Sequence, residues 1–402
     1  MDLSFSSADE AFRAQVRDFL AGALSEDLKR TARRMTSVYA DKRVALEWQA
    51  ILHARGWAAP SWPVEYGGCD WTVSQRYIFD VELARASAPP LSPMGIGMCG
   101  PVLIGHGTEA QKAHFLPRIL SGEHFWCQGY SETGAGSDLA QLQMKAVDDG
   151  DSFVCTGHKI WTTHAHEANW MFCLVRTDGT GRPQQGITFL LTDMESPGVR
   201  VEPIIMLSGE HIQNIVHFDE VRVPKDNVVG AIGAGWGVAK YLLEFERGGT
   251  AYGPKLLARL AGLRGAAAEL EALSPAFNAR LARAEVECSA LEAAELHLMS
   301  DLSRGGTPGV KASMMKVRGT ELSQHLTELA LDIAGHYAHP FQPAHTAPGG
   351  PVRGVVLSND TPIGPDIGLT AAAKYLNDRA GSIYAGSNEI QRNILAKAAL
   401  GL

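Results

Sequence analysis

Two carboxylates in the C-terminal half of the chain are candidates for proton chemistry. Glu244 and Glu246 lie in the run LEFER at residues 243–247, where the pattern predicts a helix. Positions two apart on an α-helix point about 200° apart, so only one of the two can face a given site. A carboxylate held beside a weakly acidic C–H group acts as a general base, typically worth about 10²–10⁴-fold in rate. The competing interpretation of Glu246 is a solvated helical carboxylate or a partner for Arg247.

Three further segments carry residue types that suit a planar, polar ligand. Residues 129–138 read GYSETGAGSD, residues 158–163 read HKIWTT and residues 383–392 read IYAGSNEIQR. Small residues let the backbone approach a ring closely, while hydroxyls and amides can bond its polar edge. Taken alone, the first segment is also explained by a turn that enters a β domain, and the tryptophan of the second by packing in a core.

In this order, the three segments resemble motifs of the acyl-CoA dehydrogenase family. The family has a Thr-Glu-Pro-Gly-Ala-Gly-Ser-Asp loop, a Trp-x-Thr strand about 30 residues later, and a C-terminal Tyr-Glu-Gly-Thr-x-x-Ile-Gln-Arg segment. The resemblance implies FAD as cofactor and α,β-dehydrogenation of an acyl-CoA thioester, with electrons passed to an electron-transfer flavoprotein. The FAD contacts that it implies are Gln128, Tyr130, Ser131, Gly136, Ser137, Trp161, Thr162, Thr163, Ser387 and Glu389.

The third segment departs from the family pattern at the position that matters most for catalysis. Many members carry their catalytic Glu there, whereas this chain has Ala385, which cannot accept a proton. A subset that includes isovaleryl-CoA and long-chain enzymes places the Glu on the helix after the β domain, just before an Arg, and Glu246 matches that position. Ala385 keeps its backbone N–H, which the resemblance places at the thioester oxygen, as in an oxyanion hole. Ser137 and Arg247 are the implied contacts near the thioester and pantetheine.

Two family segments that reach the FAD of a neighbouring subunit are weak in this chain. Residues 263–268 and 332–337 match neither the Arg-x-x-Phe-Gly segment nor the Gly-Gly-rich loop of the family. Some bacterial members form α₂β₂ assemblies that share these elements unequally. We therefore expect either a homodimer or homotetramer, or an α₂β₂ assembly with a second acyl-CoA dehydrogenase-like chain. Two other interpretations stay open: a non-catalytic subunit that completes a partner's FAD site, and a flavin oxidase or monooxygenase of the same fold.

The residue patterns divide the chain into three parts. Helical spacing begins at Ser7, where Ser7 and Glu10 can form a capping box, and continues to about residue 120. Short β-branched runs with turn signals, including a hairpin turn at residues 148–151, follow. We predict an α+β fold with an N-terminal helical domain (residues 1–124), an antiparallel β domain (125–232) and a C-terminal four-helix bundle (233–402). The positions 315, 319, 322, 326, 329 and 333 form a narrow apolar stripe, which predicts packing within a bundle or against another subunit.

Composition excludes several other classes of function. The formal net charge is −8 and no basic run is interleaved with aromatic residues, so we expect no nucleic-acid partner. No apolar run reaches the roughly 20 residues needed to cross a bilayer, and the first residues lack the features of a secretory signal, which predicts a cytoplasmic protein. The six scattered cysteines and the histidines lack zinc spacing, so we expect no metal site. The glycines of residues 230–237 lack a surrounding βαβ unit and predict a turn.

The substrate pocket has a single candidate wall in the sequence. By analogy with the family, residues 89–100 line the acyl group, and their methionines, isoleucine and cysteine among three glycines indicate an apolar and roomy site. This stretch has no Arg to bind a distal carboxylate, so the length and branching of the acyl chain stay open.

Overall fold

Helices form the first part of the chain. In this computed structural model the described residues are 4–247, 252–307, 309–346 and 361–401. The helices are α1 (Ser7–Ala23), α2 (Glu26–Arg33), α3 (Lys42–Arg55), α4 (Val73–Arg85), α5 (Gly100–His106) and α6 (Glu109–Ser121). Helix α1 begins at Ser7 as predicted, but its capping box is formed one residue earlier, by Ser6 and Asp9. Because the Ser6 hydroxyl accepts the Asp9 N–H at 3.1 Å, Glu10 pairs with Arg13 instead.

A mixed β-sheet follows the helices. Its strands are β1 (Trp126–Gly129), β2 (Lys145–Asp149), β3 (Ser152–Lys159), β4 (Trp170–Arg176), β5 (Ile187–Asp193), β6 (Val199–Ile205), β7 (His211–Pro224) and β8 (Val228–Val229). The order is β6-β7-β3-β2-β4-β5-β8, and β1 pairs with β4. The β2–β3 hairpin turns at Gly150 as predicted, with a φ of 68°. Most strand pairs are antiparallel, as predicted, and β4 in addition pairs in parallel with both β1 and β2.

Strand β4 is buried on both faces, and this joins the sheet to the helices around it. Phe172 and Leu174 belong to the same apolar cluster as α1, α3, α5 and α6. Met171 and Cys173, which alternate with them, belong to a second cluster inside the sheet domain. A strand between two cores loses the polar–apolar alternation of a half-exposed strand, and β4 reads accordingly as a continuous apolar run.

Helices return after the sheet and fill the rest of the described chain. They are α7 (Gly235–Arg247), α8 (Tyr252–Glu269), α9 (Pro275–Ser303), α10 (Gly309–Ala334), α11 (Asp366–Asp378) and α12 (Asn388–Leu400). The predicted stripe on α10 is buried within this chain, where Leu322, Leu326 and Leu329 share one apolar cluster with residues of α8, α9 and α11. Helices α8 to α11 therefore form the C-terminal bundle.

The Pro/Gly-rich segment of residues 336–366 lacks helical or strand periodicity, which predicts a long loop. It includes residues 347–360, which lie outside the described residues. Across the described ranges, no helix is both long and apolar enough to cross a lipid bilayer.

Candidate active site

A buried ion pair anchors the Gly/Ser-rich loop that follows β1. Lys159 at the end of β3 is fully buried and places Nζ 2.7 Å from Oε1 of Glu132 in the loop. The Glu132 carboxylate also accepts the backbone N–H groups of Gln143 at 2.6 Å and Met144 at 3.0 Å, and Lys159 donates to the Tyr130 carbonyl at 3.3 Å. Burial lowers the pKa of Lys159, and the Glu132 carboxylate opposes this effect. Glu132 therefore closes both ends of the loop and is a structural residue.

The tip of this loop presents backbone and small side chains to solvent. Glu132 and Ala135 exchange two backbone hydrogen bonds of 3.0 Å, which folds the intervening residues into a tight turn. Gly136 and Ser137 beyond the turn are exposed. A Cβ added to Gly134 or Gly136 would meet no protein atom within 4 Å. Packing within the chain therefore does not require these two glycines, and they suit the close approach of a ligand.

A backbone hydrogen bond joins the second predicted segment, residues 158–163, to the first, residues 129–138. The N–H of Ile160 donates to the Ser131 carbonyl at 2.9 Å, immediately before Trp161. Trp161 has a φ of 60° and is 58% exposed. A bulky residue in the left-handed region costs of order 1–3 kcal/mol and is found where the surroundings enforce it, often at a functional site. Thr163, two residues later, shares a hydrogen bond with Gln213 of β7 at 2.9 Å between Nε2 and Oγ1.

Buried polar atoms on both segments lack partners. Nε2 of Gln128 and Oγ1 of Thr162 are buried without a hydrogen-bond partner in the part of the chain that the structure describes. Most buried polar atoms in proteins are paired, so each exception asks for an explanation. A flavin ring, whose edge carries several acceptors, has the chemistry to satisfy the amide of half-buried Gln128, whereas Thr162 has no exposed surface and its hydroxyl faces the interior. The Gln128 amide, the uncovered glycines and the exposed indole together fit the cofactor that the resemblance implies.

Helix α7 carries the candidate base at its C-terminal end. Its inner face is fixed by Val238, Ala239 and Leu242, which are buried in the core shared by the helices and the sheet. At 100° per residue, position 246 falls within about 40° of both Ala239 and Leu242 around the helix. Position 246 therefore shares the helical face of Ala239 and Leu242. The side chains of Glu246 and Arg247 lie outside the described residues.

The predicted acyl-pocket wall is a π-helical segment, Met94–Cys99, that packs against β1, α5, α6 and α7. Such π-turns often occur at functional sites. Its glycines do not leave open space, however. A Cβ on Gly100 would lie 2.1 Å from the Trp62 indole, and one on Gly95 would lie 3.1 Å from the Trp126 ring. Gly95 and Gly100 therefore make room for tryptophan rings. The segment leaves less open space for a ligand than its small residues indicate.

The C-terminal segment forms a left-handed turn ahead of α12. Ala385 and Gly386 have φ angles of 54° and 79°. Ser387, a predicted cofactor contact, is the N-cap of α12, where its hydroxyl accepts the Ile390 N–H at 3.4 Å. Glu389 is exposed, and its own backbone N–H and the Ser387 hydroxyl lower the pKa of its carboxyl group. The Ser387 hydroxyl thus already has a role within the chain.

Two residues of this segment that were not singled out from the sequence hold the turn in place. Asn388 is buried and accepts a hydrogen bond from Lys316 of α10 at 2.9 Å. Burial lowers the pKa of Lys316 to about 8, which the nearby Glu389 carboxylate opposes. Gln391, also buried, donates to the Gly386 carbonyl at 3.3 Å. Their only sequence signal is their position inside the matched segment.

A buried carboxylate joins the three parts of the chain beside the site. Glu210, in the turn before β7, accepts from the hydroxyl of Thr36 in the N-terminal part, from Ser208 at 2.8 Å, and from Asn377 of α11 at 2.6 Å. Asn377 also donates to the Thr36 carbonyl at 3.1 Å. This cluster fixes the C-terminal bundle against the sheet, and no pattern in the sequence predicts it.

Histidines near the second segment do not form a metal site. Across the described ranges, no group of three or more His, Cys, Asp or Glu side chains is arranged to hold a metal ion. His164 is buried, and burial lowers its pKa to about 4.

Comparison with known proteins gives matches over nearly the whole chain. Family models for the N-terminal, middle and C-terminal domains of acyl-CoA dehydrogenases match residues 6–123, 127–221 and 233–400. Acyl-CoA dehydrogenase IpdE1 of Mycobacterium tuberculosis is 37% identical over 98% of this chain and 97% of its own length. Two solved structures cover 100% of this chain and 99% of their own: the "Tcur3481-Tcur3483 steroid ACAD", 28% identical with a TM-score of 0.80, and the ChsE4–ChsE5 complex from M. tuberculosis, 29% identical with a TM-score of 0.79.

Proposed function

The chain belongs to the acyl-CoA dehydrogenase family, and on that premise we propose that it is an FAD-dependent oxidoreductase that converts an acyl-CoA thioester to its 2-enoyl-CoA. The observation that carries the proposal is the surface built from the loop after β1 and the segment after β3. The Ser131–Ile160 hydrogen bond and the Glu132–Lys159 ion pair fix this surface, and Trp161 is held on it exposed and in a strained conformation.

The FAD-binding residues of the proposal come from all three motifs. They are Gln128, Tyr130, Ser131, Gly136, Ser137, Trp161, Thr162, Thr163, Ser387 and Glu389. When bound, FAD supplies a two-electron acceptor for the hydrogen that leaves the β-carbon with its electron pair. The amide nitrogen of Gln128, which is buried without a partner among the described residues, supports the assignment.

Glu246 is the proposed base, and it takes the α-proton while the β-hydrogen leaves as hydride. The inward register of α7 supports this role, and Ala385 has no side-chain group that could replace it. The backbone N–H of Ala385 would donate to the thioester oxygen and stabilise the charge that develops there. Ser137 and Arg247 would contact the thioester and the pantetheine arm.

Replacing Glu246 by glutamine tests the base assignment, with Glu244→Gln as the matched control. Both variants should bind FAD like the unmodified chain, as measured by flavin absorbance after gel filtration. Anaerobic mixing with straight-chain, branched and steroid-derived acyl-CoA thioesters should bleach the flavin of the unmodified chain and of Glu244→Gln. Bleaching should slow by about 10²–10⁴-fold in Glu246→Gln. Full activity in Glu246→Gln would refute the base, and a chain that never binds FAD, alone or with a partner, would refute the function.

The proposed assembly is α₂β₂ with a second acyl-CoA dehydrogenase-like chain. Two of the similar solved structures are named as pairs of chains, and residues 263–268 and 332–337 lack the family's cross-subunit FAD segments. Co-expression with each acyl-CoA dehydrogenase-like gene of the same operon, followed by measurement of the complex mass, tests this. A flavin-loaded homodimer or homotetramer that is active without a second chain would contradict it.

One observation favours a second candidate function. Ala385 replaces the usual C-terminal base, as expected of a non-catalytic subunit that completes a partner's FAD site. In that case Glu246→Gln would leave the activity of the purified complex unchanged.

For the dehydrogenase, we propose an electron-transfer flavoprotein as the acceptor. Its reduction by the acyl-CoA-reduced enzyme, measured against reoxidation by dioxygen, distinguishes this from an oxidase.

A further inference from the structure

A buried asparagine interrupts the apolar inner row of β7, directly behind the second cofactor segment. Along the strand, Ile212, Val216 and Phe218 point inward and are buried, and Asn214 occupies the same row with no exposed surface. A polar side chain in a core row is unfavourable unless its donors and acceptors are all paired. The partners of Asn214 therefore indicate what the residue is for.

Asn214 holds both polar groups of the Thr162 peptide. Its backbone carbonyl accepts the Thr162 N–H at 3.0 Å, and its side-chain Nδ2 donates to the Thr162 carbonyl at 2.9 Å. Trp161 and His164, on either side, have φ angles of 60° and 55°, so this stretch cannot continue the regular ladder of β3. The asparagine amide thus supplies the donor that a neighbouring strand would otherwise provide.

Two imidazoles fix the orientation of this amide. Nε2 of His211 lies 2.6 Å from Oδ1 of Asn214, and Nδ1 of His166 lies 3.1 Å from Nδ2. Because the Thr162 carbonyl only accepts hydrogen bonds, Nδ2 of Asn214 must face it. Oδ1 of Asn214 must then accept a hydrogen bond from Nε2–H of His211. Nδ2 also lies 3.4 Å from the Ile212 carbonyl. Its contact with Nδ1 of His166 is a hydrogen bond when that nitrogen accepts, which is the case for a neutral ring with its proton on Nε2. The two rings stack with centroids 3.9 Å apart and planes at 25°.

We propose that Asn214 is a positioning residue for the cofactor: it holds the backbone of residues 161–163 in the conformation that contacts FAD, and neutral His166 keeps its amide in the required orientation. The inference rests on the proposed function, since it deepens the role of that same site. It adds a residue of β7 to a surface that the three motifs alone did not define.

The arrangement predicts a defined dependence on pH. A proton added to Nδ1 of His166 would set two donors against each other and break the contact with Asn214. His164 interacts electrostatically with His211, and burial lowers the pKa of His164 to about 4. Glu167 follows His166 in the chain and lies beside Asp41 and Lys42 of the N-terminal part. The folded network favours neutral His166, so the ordering of the segment is present at high pH and is lost as the pH falls through the range in which imidazoles titrate.

Hydrogen–deuterium exchange and FAD titration of the full chain test the proposal together. Asn214→Ala should speed exchange in the peptide covering residues 158–168 and weaken FAD binding by about tenfold or more, because the Thr162 carbonyl loses its donor. Thr192→Val is the matched control. Thr192 is a fully buried polar residue of β5 whose hydroxyl lies 3.8 Å from the Cys173 thiol, and its loss should change neither measurement.

A second variant covers the case in which Asn214→Ala folds poorly. His166→Phe keeps a ring to stack on His211 and removes the titrating nitrogen. FAD affinity of the unmodified chain should fall by about tenfold from pH 8 to pH 5.5, and that dependence should be absent in His166→Phe. Unchanged exchange and affinity in Asn214→Ala would overturn the proposal, as would an equal pH dependence in His166→Phe. If the unmodified chain binds no FAD, either alone or in complex with the second chain, the proposed function fails, while exchange still reports whether Asn214 holds the segment.

Discussion

Replacing Lys159 by methionine should destabilise the sheet domain far more than the same replacement at Lys225. Both lysines form ion pairs with an Nζ–O distance of 2.7 Å, to Glu132 and Asp148 respectively. The pairs differ in burial: the side chains of the first are 0% and 7% exposed, and those of the second are 28% and 63% exposed. The comparison therefore keeps the chemical change constant and varies the surroundings.

The expected difference in stability depends on the surroundings of the carboxylate that remains when the lysine is removed. Without Lys159, the Glu132 charge stays buried. The backbone N–H groups of Gln143 and Met144 still donate to it, and the Arg176 guanidinium still interacts with it electrostatically, but its direct ion-pair partner is lost. Breaking a buried pair in this way costs about 3–5 kcal/mol, whereas an exposed pair contributes about 0–1 kcal/mol. The double variant Glu132→Gln/Lys159→Met removes both charges, so it should recover at least about 2 kcal/mol relative to Lys159→Met alone.

Urea unfolding followed by tryptophan fluorescence measures these free energies, and FAD titration reports on the loop itself. Lys159→Met should weaken FAD binding as well, because the ion pair closes the loop that carries Ser131 and Ser137. A Lys159→Met variant no less stable than Lys225→Met would refute the reasoning. So would a double variant less stable than either single one, since that would mean the charges are not coupled.

Two other predictions concern single residues outside this pair. Glu295 of α9 accepts the N–H groups at the start of α8, and burial raises its pKa to about 7 from the usual 4.5. At pH values between 4.5 and about 7, the unfolded chain has released the Glu295 proton and the folded chain still holds it. The free energy of unfolding should therefore fall by about 1.4 kcal/mol for each unit by which the pH rises through this range. Urea titrations at pH 5 and pH 7 should show this slope in the unmodified chain and not in Glu295→Gln. Gly129→Ala would place its Cβ 2.5 Å from Sδ of Met171 and should cost about 1–3 kcal/mol by thermal unfolding. Gly134→Ala, whose Cβ meets no atom within 4 Å, should stay within about 0.5 kcal/mol; equal effects would contradict the packing argument.

The order of elements was predictable because it depends on local patterns. Short runs rich in β-branched residues, separated by turn signals, indicated the β domain, and helical spacing located the start of α1 at Ser7. The cap was misassigned by one residue because Ser6 and Ser7 are both competent, and only the backbone angles decide between them. The parallel pairing of β4 was missed because it depends on where the β2–β3 hairpin docks, which no local pattern records.

The candidate site was predictable only where the residues themselves could contact a ligand. The loop and strand motifs contain Ser131, Trp161 and Thr163, whose types indicate binding. The residues that hold them, such as Lys159 and Asn214, look like ordinary strand residues, and their partners lie 27 and 52 positions away in the chain. A buried polar residue is recognisable only when its surroundings are known, so this supporting layer required the fold.

In the proposed site, the base and the backbone N–H that contacts the thioester oxygen belong to different residues, whereas many members of the family have both at one residue. The left-handed turn at Ala385 is held from outside that residue. Asn388 of α12 accepts a hydrogen bond from Lys316 of α10, and Gln391 donates to the Gly386 carbonyl. The direction of the Ala385 N–H therefore does not depend on its side chain, so under the proposal an alanine there can still donate to the thioester oxygen. The proposed base needs a fixed position near the α-carbon, and α7 is itself fixed by its buried face of Val238, Ala239 and Leu242. Because α7 and the turn at Ala385 are held by different contacts, a base can move from one element to the other by substitution of side chains, without a change in the backbone.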